Sequence, residues 1–343
     1  MRQDGVLTAL AEGESSPACA IVNVGGEMCW THSDEHFARV RAAHGVPDGF
    51  ARGLDLRALR PSGGKGGQRI GHSADGRYLV KELSAGDHAS LRFHAAALCA
   101  RMLAPDSLLS PLLLHFERAG RRYLAMLNAL PAAPGLRWHR RYDLKGNRDD
   151  KLVEEDGERI AEAHKRWWHW HTCWYGCDML PGCATAARVR YVRGKEAAFR
   201  VRFAVGIAAA RRIAAMTAAD SALLAARGLI DYSLVVGILL LSPLSPVPDV
   251  DGRRQLVVRR ADATYVFYVS IIDFLQRWTW CTRLAWLLKL PCAPKPQATV
   301  PPGQYARQFA RSAALRFTAG GGDGDGGPVI DPPSPALAPK PRP

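Results

Sequence analysis

Two stretches decide the fold: L-I-D-Y-S-L-V-V-G-I-L-L-L at residues 229–241 and T-Y-V-F-Y-V-S-I-I-D-F-L at residues 264–275. Both are aliphatic, rich in β-branched residues and too short for long helices, so 230–241 and 264–275 read as buried strands. Each is interrupted by one acid, Asp231 or Asp273. A carboxylate in an apolar run is costly unless a cation or a hydrogen-bond network meets it. Two of them, joined by the Pro- and charge-rich connection 242–263, suggest a metal or acid/base site at strand ends. The alternative is that one caps a turn and the other pairs with an arginine.

Outward from this pair, the first third of the chain alternates strand and helix signals. Residues 77–83 and 122–127 read as strands, 36–45 and 87–103 as helices, and 62–67, S-G-G-K-G-G, as a loop. Residues 196–227 are Ala-rich and mostly helical by propensity, and 282–290 read as a further helix. Residues 1–31 read as a flexible leader and 319–343, rich in Gly, Asp and Pro, as a disordered tail. The class is α+β, with an antiparallel sheet in the first part.

The chain has 343 residues and is 48% hydrophobic, enough for a sizeable core. No apolar run reaches the roughly 20 residues of a membrane span, and the start of the chain lacks a secretory pattern. The 46 Lys and Arg outnumber the 32 Asp and Glu for a net charge of +14, which favours polyanions as partners. No nucleic-acid reading motif accompanies that charge. Eight scattered cysteines in such a chain are read as reduced thiols.

Glycines at 63–64 and 66–67 would let backbone N–H groups approach phosphate oxygens, and Lys81, on the strand that follows, could reach the same phosphates. A third motif is Tyr142-Asp143-Leu144-Lys145-Gly146. Together these pieces resemble the phosphatidylinositol phosphate kinases. That family's D-L-K-G-S, M-D-Y-S-L-L-V-G-I and I-I-D-I-L-Q motifs are matched by D-L-K-G-N (143–147), I-D-Y-S-L-V-V-G-I (230–238) and I-I-D-F-L-Q (271–276). Its S-G-G-K-S-G loop, R-Y-x-I-K-T strand and late N-P-x-x-Y-x-x-R-F box are matched by S-G-G-K-G-G (62–67), R-Y-L-V-K-E (77–82) and P-P-G-Q-Y-A-R-Q-F (301–309).

The resemblance implies a two-lobed lipid kinase related to the protein-kinase architecture. Its N-lobe would run over 32–138 and its C-lobe, of mixed helix and sheet, over 139–318. It implies ATP and Mg²⁺ as cofactors, and a phosphoinositide in an anionic membrane surface as substrate. The implied reaction is phosphorylation of phosphatidylinositol 4-phosphate to the 4,5-bisphosphate by a cytoplasmic, peripheral enzyme that could be a homodimer. By position, Gly64, Lys65, Gly66, Gly67 and Lys81 would hold phosphates, and Met126 and Leu127 would frame adenine. Lys145 would sit near the γ-phosphate, Asp231 would be the catalytic acid/base, and Asp273 would bind the metal. Asp143 would order the strand and loop that carry Lys145, and Lys289 and Lys295 would meet the lipid.

Four departures qualify this. Gln68-Arg69-Ile70-Gly71 replaces the aromatics expected after the glycine loop, Asn147 replaces a serine, helix 87–103 has no glutamate to pair with Lys81, and the segment after Asp273 is short. They motivate the alternative of a weak or inactive member that binds phosphoinositide or ATP. The segment near 164–185, with five aromatics and three cysteines in 167–183, matches no standard zinc-ligand spacing and is read as an insertion packed on the C-lobe. The arginines of 188–202 and 253–260 are candidate footings for anionic lipid.

Overall fold

The computed structural model of the chain describes residues 20–61, 68–130, 137–163, 185–248, 253–289, 296–297 and 299–319. The loop 62–67, most of the Trp/Cys segment and nearly all of the tail therefore lie outside the described residues.

The chain opens with strands β1 (Ile21–Val24) and β2 (Glu27–Thr31), helix α1 (Asp34–Ala43) and a 3-10 turn (Phe50–Gly53). Strands β3 (Arg60–Pro61), β4 (Arg69–His72) and β5 (Tyr78–Glu82) lead into helix α2 (Ala85–Leu103), then β6 (Leu112–Arg118) and β7 (Arg121–Leu127). These strands form an antiparallel seven-stranded sheet in the order β1-β2-β6-β7-β5-β4-β3. Its tight turns are written in the sequence: Gly25-Gly26 and Ala119-Gly120 all have positive φ, which a two-residue hairpin of matching twist requires. Helix α2 is capped by Ser84, whose Oγ accepts from the Asp87 N–H at 3.0 Å.

The expectation of a flexible leader through residue 31 fails over its last part. Residues 20–31 are the β1–β2 hairpin, because Val24 and Cys29 point into the core and Trp30 and Thr31 pair with Glu117 and Phe116 of β6.

The second half contributes β8 (Arg140–Leu144), β9 (Lys151–Glu155), β10 (Glu158–Arg159), α3 (Ala186–Arg200), β11 (Phe203–Ala204) and α4 (Ile207–Ala226). It continues with β12 (Ser233–Leu241), β13 (Gln255–Arg259), β14 (Thr264–Ile272), α5 (Trp280–Lys289), α6 (Pro302–Arg316) and β15 (Phe317–Thr318). The second sheet is antiparallel, in the order β10-β9-β8-β12-β14-β13. Strand β12 lies between β8 and β14 and is covered on both faces. Leu234, Val236 and Ile238 join one buried cluster, and Val235 and Leu239 join another with Trp138 and Tyr268. That two-sided burial is why 230–241 reads as a continuous apolar run.

Residues 196–227 are mostly helical, as expected, in the end of α3 and in α4; the break between them comes where Phe203 is buried and β11 pairs in parallel with β15. The connection 242–263 also contains β13, held on β14 by Leu256. Tertiary packing sets the break within the Ala-rich run.

One buried cluster runs through both sheets, and the segment at residues 107–110 joins them. The Ile271 N–H donates to the Leu108 C=O at 2.7 Å, and the Ser110 N–H donates to the Ile271 C=O at 2.9 Å. Beneath this bridge Asp220 of α4 is fully buried. It accepts from Leu108 N–H at 2.6 Å, Arg101 Nε at 2.5 Å and Ser107 Oγ at 3.0 Å.

Candidate active site

Three neighbouring strands of the second sheet end on one line. Leu144, the last residue of β8, is opposite Leu234, and Ser233, the first of β12, is opposite Ile272, the last of β14. Lys145, Asp231 and Asp273 lie just beyond these ends. The backbone of both aspartates is left-handed, with φ 63° at Asp231 and 59° at Asp273. Such geometry costs about 1–3 kcal/mol per residue and persists where the surroundings enforce it. It turns both carboxylates out of the apolar strands they interrupt.

Each aspartate meets a lysine. Lys145 Nζ donates to Asp231 Oδ1 at 2.5 Å. Lys81, at the centre of the first sheet on β5, donates to Asp273 Oδ1 at 2.6 Å. Both aspartates lie at strand ends, and the cations that meet them are lysines rather than arginine. The glutamate missing from α2 is explained as well, since Lys81 takes Asp273 as its partner across the two sheets. Burial works against the Lys145 ammonium, but the carboxylates of Asp231 and Asp143 outweigh it and raise its pKa above the ordinary lysine value.

Asp143, on β8 opposite Val235, completes the acidic group. Burial pushes its carboxyl up, Lys145, Ser233 and Lys151 draw it down, and Asp273 adds to the rise. Its Oδ1 is buried and has no hydrogen-bond partner among the described residues. Asp143 is not what orders the Lys145 loop. That role falls to Asp150, which sequence reasoning missed. Asp150 is fully buried, and its Oδ1 accepts from the N–H groups of Lys145 at 2.6 Å and Gly146 at 2.9 Å, while Arg316 of α6 binds its other oxygen. Asp150 and Arg316 are 166 residues apart in the chain, so only the short N-R-D-D run after Gly146 signals their pairing.

Gly146 is required in this turn: its φ is 73°, and a Cβ would lie 2.8 Å from Ser312 Cβ. Asn147, in place of the family's serine, accepts from the Asp149 N–H through Oδ1 at 2.8 Å, so it closes the turn itself. The 301–309 box acts through Tyr305, whose hydroxyl donates to the Tyr232 C=O at 2.6 Å, next to Asp231.

Met126 and Leu127 end β7, half-buried against the core. The Leu127 N–H donates to the Pro111 C=O at 2.9 Å and its C=O accepts from Ser110 Oγ at 3.2 Å. Both backbone groups of Leu127 are thus engaged within the protein, while the two side chains are partly exposed. Gly64, Lys65, Gly66, Gly67 and Lys295 lie outside the described residues. Lys289 is the last residue of α5, the helix that follows Asp273. Among the expected lipid footings, Arg254 is instead buried and donates through Nη2 to the Leu109 C=O at 2.9 Å, bracing the joint between the sheets.

An α+β molecule in which one edge gathers two lysines and three carboxylates has the charges to position and neutralise a phosphorylated compound. The chain belongs to the phosphatidylinositol phosphate kinase family: the family model described as Phosphatidylinositol-4-phosphate 5-Kinase matches residues 55–247, more than half of its length. The match takes in Lys81, Asp143, Lys145 and Asp231 and ends before Asp273 and α6. A search of the curated proteins finds no match.

Proposed function

We propose that the protein transfers the γ-phosphoryl group of ATP to the inositol ring of a phosphatidylinositol monophosphate, with phosphatidylinositol 4-phosphate as acceptor at its 5-hydroxyl. Family membership supports the kinase class, and the observation that carries the reading is that Lys145, Asp231 and Asp273 lie at neighbouring strand ends, with Lys81 of the other sheet reaching Asp273 and Lys145 reaching Asp231. In this reading the two sheets are the N- and C-lobes of the kinase, meeting near residues 138–139, with the first lobe extended back to Ile21.

Phosphoryl transfer asks a protein mainly for positioning and charge neutralisation. Lys81 and Lys145 would hold phosphate oxygens. Asp273, a half-exposed carboxylate released from its strand, and Asp143, with an unpartnered buried oxygen, form a hard donor set that fits Mg²⁺. When bound, the ion supplies Lewis-acid neutralisation of the nucleotide's phosphates. Asp231 would orient the inositol hydroxyl and accept its proton. Within each lysine–aspartate pair the two charges neutralise one another, and substrate phosphates would compete for the same ammonium groups.

A lipid substrate requires a membrane-facing surface. No helix among the described residues is long and apolar enough to cross a membrane. Helix α5 offers another mode: Trp280, Leu284, Leu287 and Leu288 are exposed on one face, while Trp286 packs inward against the core with Trp278. An exposed apolar face beginning with Trp280, with the Arg283 guanidinium 5.6 Å from its ring, suits the headgroup boundary of an anionic bilayer.

The test is incubation with labelled ATP and vesicles carrying each of the three phosphatidylinositol monophosphates in turn. Label entering phosphatidylinositol bisphosphate, fastest from the 4-phosphate, is the expected result. Preference for another isomer would overturn the substrate assignment, and no label in any of them would overturn the activity.

A further inference from the structure

A second cluster of ligating side chains lies apart from the strand-end site. His32 follows β2, His88 is in the first turn of α2, and His115 is in the middle of β6. One ring nitrogen from each lies within 4.8 Å of the others. The ring centroids are 4.8 to 5.1 Å apart, and His88 Nδ1 and His115 Nε2 are 2.9 Å apart. The backbone helps to hold them, since the His32 N–H donates to the His115 C=O at 2.9 Å.

Hydrogen bonding within the cluster does not satisfy it. His115 is fully buried, and its Nδ1 has no hydrogen-bond partner among the described residues; the same is true of His32 Nε2. Leaving such atoms unpaired is costly. Burial works against the protonated form of each ring, and the neutral imidazole is the form that ligates metals. Burial, helped by His32 and nearby arginines, lowers His88 to about 4, and burial with the neighbouring histidines lowers His115 to about 2. Burial and Arg92 lower His32.

We propose that His32, His88 and His115 form a binding site for a first-row transition-metal dication of the zinc class. Imidazoles are the donors such an ion prefers, and Zn–N bonds of about 2.0–2.1 Å in a tetrahedron need nitrogens about 3.3 Å apart, against 2.9 Å for His88 Nδ1 to His115 Nε2 and a spread within 4.8 Å for the cluster, so binding requires the rings to adjust. Glu117 places an anionic oxygen, Oε2, 3.8 Å from His32 Nε2 at the edge of the cluster. Arg92 and Arg122 oppose any cation here. Selectivity comes from the donors instead: three imidazole nitrogens suit zinc-class ions, whereas Mg²⁺ relies on oxygen ligands. A bound ion would clamp three elements together: the exit of β2, the first turn of α2 and strand β6. Asp87, one residue before His88, accepts from Gln68 Nε2 at 3.0 Å, so the clamp would also steady the residue that follows the 62–67 loop.

The experiment strips the full-length protein with a chelator and titrates Zn²⁺ against a chromophoric competitor in excess Mg²⁺, with melting followed in parallel. The expected result is one tightly bound equivalent with a rise in melting temperature. In His88→Gln and His32→Gln, changed at the two members that are not fully buried, affinity should fall at least about a hundredfold and the zinc-dependent rise should vanish. Either variant suffices if the other fails to fold. No tight uptake by the wild type, displacement by Mg²⁺, or uptake that persists in these variants and so belongs to other ligands, such as the histidines and cysteines of 164–183, would overturn the proposal.

Discussion

Asp150 shows how much a single buried acid can do for the strand-end site. Its carboxylate receives two backbone amides of the 145–146 turn and the guanidinium of Arg316, all away from water. Burial pushes its carboxyl up against the pull of Arg316, so the pair is held by geometry and satisfied hydrogen bonds, not by surplus Coulomb energy. Truncating one member leaves the other charged and unpaired. Asp150→Ala should lower unfolding free energy by about 3–5 kcal/mol, read as a lower denaturant midpoint at unchanged slope. A shift within experimental error would show that water replaces the carboxylate.

A second residue sets a pH dependence. His94 on α2 is 3% exposed, and both ring nitrogens lack hydrogen-bond partners among the described residues. Burial, then Arg227 and Arg277, hold its pKa below the ordinary 6.5. The folded state therefore refuses a proton that the unfolded chain accepts below that value. Stability should fall as pH drops from 6.5 towards the depressed folded value, and His94→Leu should make that fall shallower. An unchanged slope in chemical denaturation at stepped pH would remove His94 from the account.

At the scale of elements, strand β12 is where sequence and structure agree most closely. Its apolar run, with both faces covered, is legible because hydrophobicity without alternation has few other readings. Strands 77–83 and 122–127 and helix 87–103 are legible for similar reasons of pattern and capping. The β1–β2 hairpin is not: Ile21 and Trp30 are exposed, so its alternation is weak, although Gly25-Gly26 marks the turn. Nor is the break between α3 and α4, which depends on Phe203 meeting Phe317 from the far end of the chain. The site divides in the same way. Asp231 and Asp273 are visible as acids in apolar runs, whereas the partnership of Lys81 with Asp273 spans the two sheets and leaves no local trace.

Gly237, in the middle of β12, tests the closeness of this packing. A Cβ there would lie 2.6 Å from both Leu130 Cδ2 and Trp138 Cζ3. Trp138 is buried against Tyr268 and has little room to retreat. Gly237→Ala should destabilise the protein by about 1–3 kcal/mol, measured by thermal or chemical unfolding. A neutral or stabilising result would mean that the second cluster is loosely packed.

For the whole molecule, the joint at residues 107–110 and the position of α5 matter most. The joint fixes the end of β14, and so Asp273, against the sheet that carries Lys81. Helix α5 leaves that end with an apolar face turned outward. If the face seats on a membrane, Trp280→Ala combined with Leu288→Ala should reduce co-sedimentation with anionic vesicles at least about tenfold, at unchanged melting temperature. Undiminished sedimentation would move the membrane contact elsewhere.

The central claim is that Asp273 and Asp231 serve one phosphoryl transfer. Asparagine tolerates the left-handed backbone that Asp273 adopts, so Asp273→Asn removes the charge while sparing the turn. The most direct measurement is the single-turnover rate of label transfer from ATP to phosphatidylinositol 4-phosphate vesicles, for wild type and Asp273→Asn at saturating Mg²⁺. A fall of about 10²–10⁴-fold with the melting temperature preserved is the result predicted. Transfer at the wild-type rate would contradict it.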